Sequence, residues 1–334
     1  MDDDDDEEEH LLRQRRRPAS EEDVAVGKEV SQISISSHLS SQSLLVNPSE
    51  VKQGKVLCST LKSTVCVALW QGQQVAVKQL KTLDEEDLVA ELLHEIHVLS
   101  ALQHPCLVKL VGANLDKEGP FVLTEYMEHR DVETYMQQQR QNAEDPYYKP
   151  SFEVAMGWAL NTGQALEYLH GLPCPIIHRD LKPLNLFLTK HLHVKVGDFG
   201  ISKVMPSTST RVKMTGGVGS WRYMAPEVAR HEAYTEKADI YAYALILYFI
   251  FSGRQPFHAW DDLEDVLKAF IRGEEPRPDL SVRMGRELRT FLPEVWDDAA
   301  GRPSAAECLL RLSDMKVPSL RESVADCLCL RCLR

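Results

Sequence analysis

Long hydrophobic runs are missing from this 334-residue chain. The longest, Ile240–Phe251, has twelve residues and carries three tyrosines, which suits a buried helix and is too short for a membrane span. Glycine and proline are scarce at 17 each, so collagen-like and low-complexity readings fail. Basic charge is short as well. The net charge is −12; residues 1–23 hold eleven acids against four arginines, a local −7 that leaves −5 for everything else. A nucleic-acid binder needs a basic face to neutralise phosphates, and this balance argues against one.

Targeting signals are mostly absent too. Asp2–Asp6 and Glu7–Glu9 are the opposite of a basic-then-apolar leader. Residue 2 is Asp and not Gly, which excludes myristoylation, and Cys332 stands third from the end, which excludes a prenylation box. Eight cysteines scattered through a chain without a secretory signal read as reduced thiols in a cytoplasmic protein.

What is present falls into three parts. Residues 1–49 join the acidic run to Arg13, Arg15, Arg16 and Arg17 and then to eight serines between Ser31 and Ser49. Such composition buries too little apolar surface to offset chain entropy, so a disordered tail is expected there. From Val51 onward short β-branched runs begin. Val65–Leu69 and Val75–Val77 flank Gln71-Gly72-Gln73 and predict a hairpin turning at Gly72. Thr82 and Glu85 form a capping box for a helix whose stripe is Leu88, Leu92, Glu95, Leu99 and Leu102. Strands are expected again at Leu107–Val111 and Phe121–Thr124.

After Tyr126 the pattern is mainly helical. Phe152, Ala155, Ala159, Thr162, Leu166 and Leu169 trace one helical face, stopped by Gly171 and Pro173. Val194 and Val196 give a short strand, and Ala238–Phe251 is apolar all round, as in a helix at the centre of a lobe. Strands first and helices second predict an α+β fold of two lobes with a cleft between them. Residues 314–334 are expected to form a tail outside it.

Chemistry concentrates in three places. Glu95 lies in an apolar stripe, where an unpaired carboxylate is costly; it either reaches water at the helix edge or needs a cation. Lys78 is the candidate, since Ala76 and Lys78 share one face of their strand, the small residue leaving room for a flat ring. The second is His178-Arg179-Asp180-Leu181-Lys182-Pro183-Leu184-Asn185, bracketed by Ile176–Ile177 and Leu186–Leu188. Apolar anchors at both ends indicate a loop held to aim side chains. The third is Asp198-Phe199-Gly200. Asp180, Asn185 and Asp198 are hard oxygen groups of the kind that suit Mg²⁺.

With Val75-Ala76-Val77-Lys78, Glu95, His178-Arg179-Asp180 through Asn185, Asp198-Phe199-Gly200 and Ala225-Pro226-Glu227 in this order, the chain resembles the protein kinases over about residues 50–313. The resemblance implies a small antiparallel β lobe with one helix, about residues 50–125, and a larger, mainly helical lobe, about 128–313. It implies ATP and Mg²⁺ as cofactors. Lys78 would grip the α and β phosphates and pair with Glu95. Asp180 would accept the substrate hydroxyl proton, Lys182 would touch the γ-phosphate, and Asn185 and Asp198 would hold Mg²⁺. Val65 and Ala76 would contact the nucleotide, Thr124 matches the gatekeeper, and Glu125–Met127 the hinge that receives adenine. Glu227 with Arg302, and Asp239, match structural positions, and His178 is read as a packed residue and not a base.

Lys182 two residues after Asp180, and Ser220 where a threonine is usual, resemble serine/threonine kinases; Trp70-Gln71-Gly72, Met224-Ala225-Pro226-Glu227 and Lys237-Ala238-Asp239-Ile240-Tyr241 resemble the tyrosine-kinase-like group, nearest the integrin-linked type of plants and protists. Protein substrates with Ser/Thr acceptors follow, as does an upstream activating kinase: Arg179 would pair with phosphate on Ser207, Thr208, Ser209, Thr210 or Thr215, near Arg211 and Lys213, unless a backbone carbonyl satisfies it. One departure stands out. The phosphate-covering loop should carry three glycines, and Cys58, Thr60 and Ser63 occupy those positions. Glycine tolerates positive φ, so side chains there predict either a cost at each position or a loop settled into a different, more open conformation, and weaker ATP binding. Either the loop still works or the chain is a pseudokinase scaffold. Two peripheral patterns remain open: arginines before Ser20, a basophilic kinase site or a solvated run, and Cys327, Cys329 and Cys332, a modified cluster or an ordinary tail.

Overall fold

Gln71 and Gly72 both adopt positive φ, 48° and 79°, and close a long hairpin with the two-residue turn that a right-handed strand twist favours. The computed structural model describes residues 44–81, 86–116, 119–204 and 220–315. Around that hairpin, β1 (Lys52–Ser59), β2 (Ser63–Trp70), β3 (Gln73–Leu80), β4 (Leu110–Asn114) and β5 (Phe121–Glu125) form one antiparallel sheet in the order β1-β2-β3-β5-β4. Val75 and Val77 point into an apolar cluster with Cys66, Ala68, Phe121, Leu123 and Val46. The two-residue period of the strand therefore turns Ala76 and Lys78 to the opposite face.

Helix α1 (Glu86–Ala101) buries Leu88, Leu92, Glu95, Ile96, Val98 and Leu99. The predicted cap, Thr82 and Glu85, lies outside the described residues. Leu102 falls beyond the helix end.

Two sequence expectations give way here. Leu107 and Val108 are not strand residues of the sheet; the Val108 N–H donates to the Val196 carbonyl and the Val196 N–H to the Cys106 carbonyl, both at 2.9 Å. Their apolar character serves the junction with the second lobe. The sheet also extends before the expected boundary at residue 50. The Val46 N–H donates to Ala113 O at 2.9 Å and the Ala113 N–H to Leu44 O at 2.8 Å, laying residues 44–46 parallel to β4. Gly112 permits this approach, since a Cβ there would meet Val46 Cγ2 at 2.4 Å. A 3-10 turn at Pro48–Glu50, capped by the Asn47 side chain, leads into β1. The rest of the N-terminal tail, with Arg15–Arg17 and Ser20, and the C-terminal cysteines lie outside the described residues.

The second lobe is helical: α2 (Val132–Ala143), α3 (Phe152–His170), α4 (Pro226–Ala229), α5 (Lys237–Ser252), α6 (Leu263–Ile271), α7 (Arg286–Val295) and α8 (Ala305–Ser313). Helix α5 is buried from Ala238 to Ser252 and ends at Gly253, whose φ of 72° a side chain would strain. Ser151 caps α3 by accepting from the Val154 N–H, and α3 packs against α5 and α8. Three short strands carry the chemistry: β6 (Ile176–Ile177), then β7 (Leu186–Leu188) paired with β8 (Val194–Val196). β6 pairs with β9 (Lys203–Val204). The polar loop thus runs between β6 and β7, and Asp198 follows β8 on the same platform. This is the two-lobed α+β architecture expected.

Candidate active site

Lys78 on β3 meets two carboxylates at once. Its Nζ donates to Glu95 Oε2 at 2.7 Å and to Asp198 Oδ1 at 2.9 Å. Glu95 is only 4% exposed, so the alternative in which it reaches water at the helix edge is excluded. Burial pushes the Glu95 carboxyl up, against the pull of Lys78. The Lys78 ammonium holds Asp198 below the usual carboxylate range. Burial would lower the Lys78 ammonium, but Asp198 and Glu95 outweigh it and hold it high, so it stays charged. One cation therefore joins the sheet, α1 and the segment after β8.

Opposite lies the polar loop. Asp180 Oδ2 accepts from Lys182 Nζ at 2.6 Å, and Asn185 Nδ2 donates to the Asp180 carbonyl at 2.7 Å and to Oδ2 at 3.1 Å. The loop is fixed from beneath by Asp239 at the start of α5. Asp239 Oδ2 accepts from the His178 N–H at 2.8 Å, and Oδ1 from the Arg179 N–H at 2.9 Å. His170 Nε2 donates to Oδ2 at 2.9 Å. Burial alone would raise the Asp239 carboxyl, yet these donors hold it below its ordinary range. Arg179 and Asp198 both sit at left-handed φ, 69° and 67°. Such conformations persist only where surrounding bonds over-determine them. Asp239 does so for Arg179, and Lys78 anchors Asp198.

His178 is fully buried, its Nε2 donating to Gly197 O at 3.0 Å and its ring 5.0 Å from that of Phe199. Glu227 and Arg302 form a buried bidentate pair, with Nη2 to Oε2 at 2.9 Å.

The remaining sequence-predicted residues line up on the sheet and the crossing between lobes. Val65 of β2 stands between Cys58 and Lys78 in register, and Ala76 is opposite Thr124 of β5. Glu125 ends β5; its Oε1 accepts from Lys195 Nζ at 2.7 Å and from the Lys109 N–H at 2.8 Å. Met127 is buried, and its N–H finds no acceptor among the described residues. Thr60 and Ser63 share a cleft of about 660 Å³ with Lys78, Asp180, Lys182 and Asp198. None of Cys58, Thr60 and Ser63 has positive φ, so of the two expectations the loop follows the second, a different conformation without that cost. The Thr60 hydroxyl closes the turn locally, so no glycine is required.

Sequence reasoning passed over His94, Lys195 and His170. His94 Nε2 lies 2.8 Å from the Ser202 carbonyl and ties α1 to the segment after Asp198. His170 lies four residues after Leu166 on the buried face of α3, the one local sign of its role. Lys195 carries no local sign, because its partner Glu125 is 70 residues away.

Two lobes of this topology, joined after β5 and facing one lysine–carboxylate cluster across a loop aspartate, define the class as a bilobal kinase fold. The chain belongs to the protein kinase domain family, whose model matches residues 59–311. It is similar to serine/threonine-protein kinase VIK of Arabidopsis thaliana, 36% identical over 262 residues, covering 75% of this chain and 56% of that protein. Serine/threonine-protein kinase 12 of the same plant is 34% identical over 279 residues, 81% of this chain and 58% of the relative. Mitogen-activated protein kinase kinase kinase 7 of Drosophila melanogaster is 32% identical over 236 residues, 70% and 32% of the respective chains. The chain thus spans a little over half the length of the two plant relatives. Among the described residues no helix is long and apolar enough to cross a membrane.

Proposed function

We propose that the chain is a serine/threonine protein kinase that moves the γ-phosphate of Mg²⁺-ATP to hydroxyls of protein substrates. The observation that carries this reading is the meeting of Lys78, Glu95 and Asp198 with Asp180 and Lys182 in one cleft, Asn185 being bonded to Asp180. A loose phosphoryl transition state asks the protein for position and charge and little else.

The donor set fits the metal. Asp198 spends one oxygen on Lys78 and keeps the other, while Asn185 commits its amide nitrogen to Asp180 and leaves Oδ1 as a hard donor. Asn185 and Asp198 would hold Mg²⁺, which supplies neutralisation of phosphate charge. Asp180 receives the acceptor hydroxyl's proton on its carboxylate, with Lys182 beside it to meet the transferred phosphate. Lys78 holds the inner phosphates. Ala76 and Val65 leave space for the base, Thr124 bounds it at the back, and the backbone of Glu125–Met127 receives its edge; the unpaired Met127 N–H supports this. The free thiols Cys58, Cys66, Cys106, Cys174 and Cys308 support a reducing, cytoplasmic setting.

Lys182 beside Asp180 supports serine and threonine as acceptors. Phosphoamino-acid analysis of the autophosphorylated chain is expected to give phosphoserine and phosphothreonine. Mainly phosphotyrosine would overturn the specificity, and transfer no higher than in an Asp180→Asn control would leave a binding scaffold.

Activation by phosphate is part of the same reading. Among the described residues the Arg179 guanidinium has no hydrogen-bonded partner, and Ser207, Thr208, Ser209, Thr210 and Thr215, with Arg211 and Lys213, lie outside those residues. Phosphate on one of the hydroxyls would bring close to two negative charges to Arg179. Phosphatase treatment is expected to lower activity, as is alanine at all five positions. Equal activity before and after dephosphorylation would rule out both this switch and the need for an upstream kinase.

A further inference from the structure

The turn between β1 and β2 commits the backbone amides of Thr60, Lys62 and Ser63 to its own oxygens. Thr60 Oγ1 accepts from the Lys62 N–H at 3.2 Å and from the Ser63 N–H at 3.0 Å. The Thr60 N–H donates to Ser63 O at 2.9 Å, and the Lys81 N–H to Lys62 O at 2.9 Å, which seals the turn onto the sheet. Amides left free in such a turn can bind an anion. Here two of them are spent on a side-chain oxygen, a local bond of the kind serine and threonine make in turns. Phosphates entering the cleft find the Lys62 and Ser63 amides already taken, and a side-chain donor from this loop can replace them.

Lys62 is placed to be that donor. It lines the same cleft as Lys78, Lys182 and Asp198. Lys78 is locked to carboxylates at 2.7 and 2.9 Å and Lys182 to Asp180 at 2.6 Å. Lys62, with a side chain 53% exposed, meets Glu91 of α1 only at 3.9 Å. An exposed pair at that distance contributes little and releases its lysine easily. A polyphosphate brings several charges and hard acceptor oxygens to the same ammonium.

We propose that Lys62 is a phosphate-binding residue: it leaves Glu91 for the outer phosphates of the nucleotide and replaces, with a side-chain cation, the amides that Thr60 has taken. Glu91 then acts as a competitor that holds Lys62 while no nucleotide is bound. The proposal rests on the Mg²⁺-ATP reading given above.

Calorimetric titration of the full chain with Mg²⁺-ATP and, separately, with adenosine tests it. Lys62→Gln is expected to weaken ATP binding roughly five- to tenfold, as loss of one charge-assisted contact, and to leave adenosine unchanged. Lys62→Arg is expected to keep most of the affinity. Glu91→Gln is expected to tighten ATP binding by about two- to threefold, the scale of an exposed ion pair, and that gain should vanish when Lys62→Gln is added. If the pair merely tethers the loop, both single substitutions shift ATP binding in the same direction, and the proposal falls. It falls equally if Lys62→Gln leaves ATP binding intact or weakens adenosine to the same extent. A wild-type chain that binds adenosine and ATP alike, with no contribution from the phosphates, would overturn the Mg²⁺-ATP reading itself.

Discussion

Replacing Asp180 with asparagine is expected to lower kcat for phosphate transfer by about 10²- to 10⁴-fold, the range for loss of a positioned general base. Mg²⁺-ATP affinity should stay within about twofold, because a change confined to the chemical step does not alter ground-state binding. The substitution is nearly isosteric. Asn185 can still donate to the residue 180 carbonyl, a bond of 2.7 Å in the wild type, and Asp239 can still grip the amides of 178 and 179, so the loop keeps its course. What disappears is an acceptor for the hydroxyl proton and the charge that holds Lys182 at 2.6 Å. Single-turnover transfer and equilibrium nucleotide binding on the same preparation separate these effects. A fall in ATP affinity matching the fall in rate would mean that Asp180 serves the nucleotide and not the acceptor hydroxyl.

Much of this site could be read before the fold was known, and the reasons lie in particular residues. Ala76 and Lys78 share a face because strand side chains alternate, and Glu95, which interrupts a stripe of leucines, had two outlets, water at the helix edge or a cation, of which the structure shows the second. Both inferences use periodicity, which is local. His170 meets Asp239 across 69 positions and Lys195 meets Glu125 across 70; no local pattern encodes either pair. Leu107 and Val108 misled because a run packed at the lobe junction has the same composition as a strand inside the sheet. Leu44-Leu45-Val46 was hidden by the serines around it, although Gly112 leaves a gap that Val46 fills. The β1–β2 turn failed for a different reason. Missing glycines pointed to strain or to a changed loop without saying which; the Thr60 hydroxyl supplies a turn that needs no positive φ.

The lysine that joins the lobes should reveal two separable debts, one catalytic and one structural. Lys78→Met is expected to reduce kcat/KM by at least about 10²-fold, through loss of an electrostatic contact aimed at developing charge. It should also destabilise the chain, because Glu95, with a side chain only 6% exposed, is left in an apolar stripe without its cation. Stranding one partner of a fully buried pair costs about 3–5 kcal/mol; the Lys78 side chain is 28% exposed, so a loss of about 2 kcal/mol is the reasonable expectation. Asp198 adds less, since its side chain is 40% exposed and can turn to water. Adding Glu95→Leu to Lys78→Met removes the stranded carboxylate and extends the apolar face of Leu92, Ile96 and Leu99, so stability should return while activity does not. Denaturant unfolding of the single and double variants, with transfer assays alongside, distinguishes the two. Recovery of neither would locate the damage in the packing of α1 on the sheet. Full activity in Lys78→Met would remove Lys78 from the phosphate-binding machinery and, with it, the reason for a buried glutamate on α1.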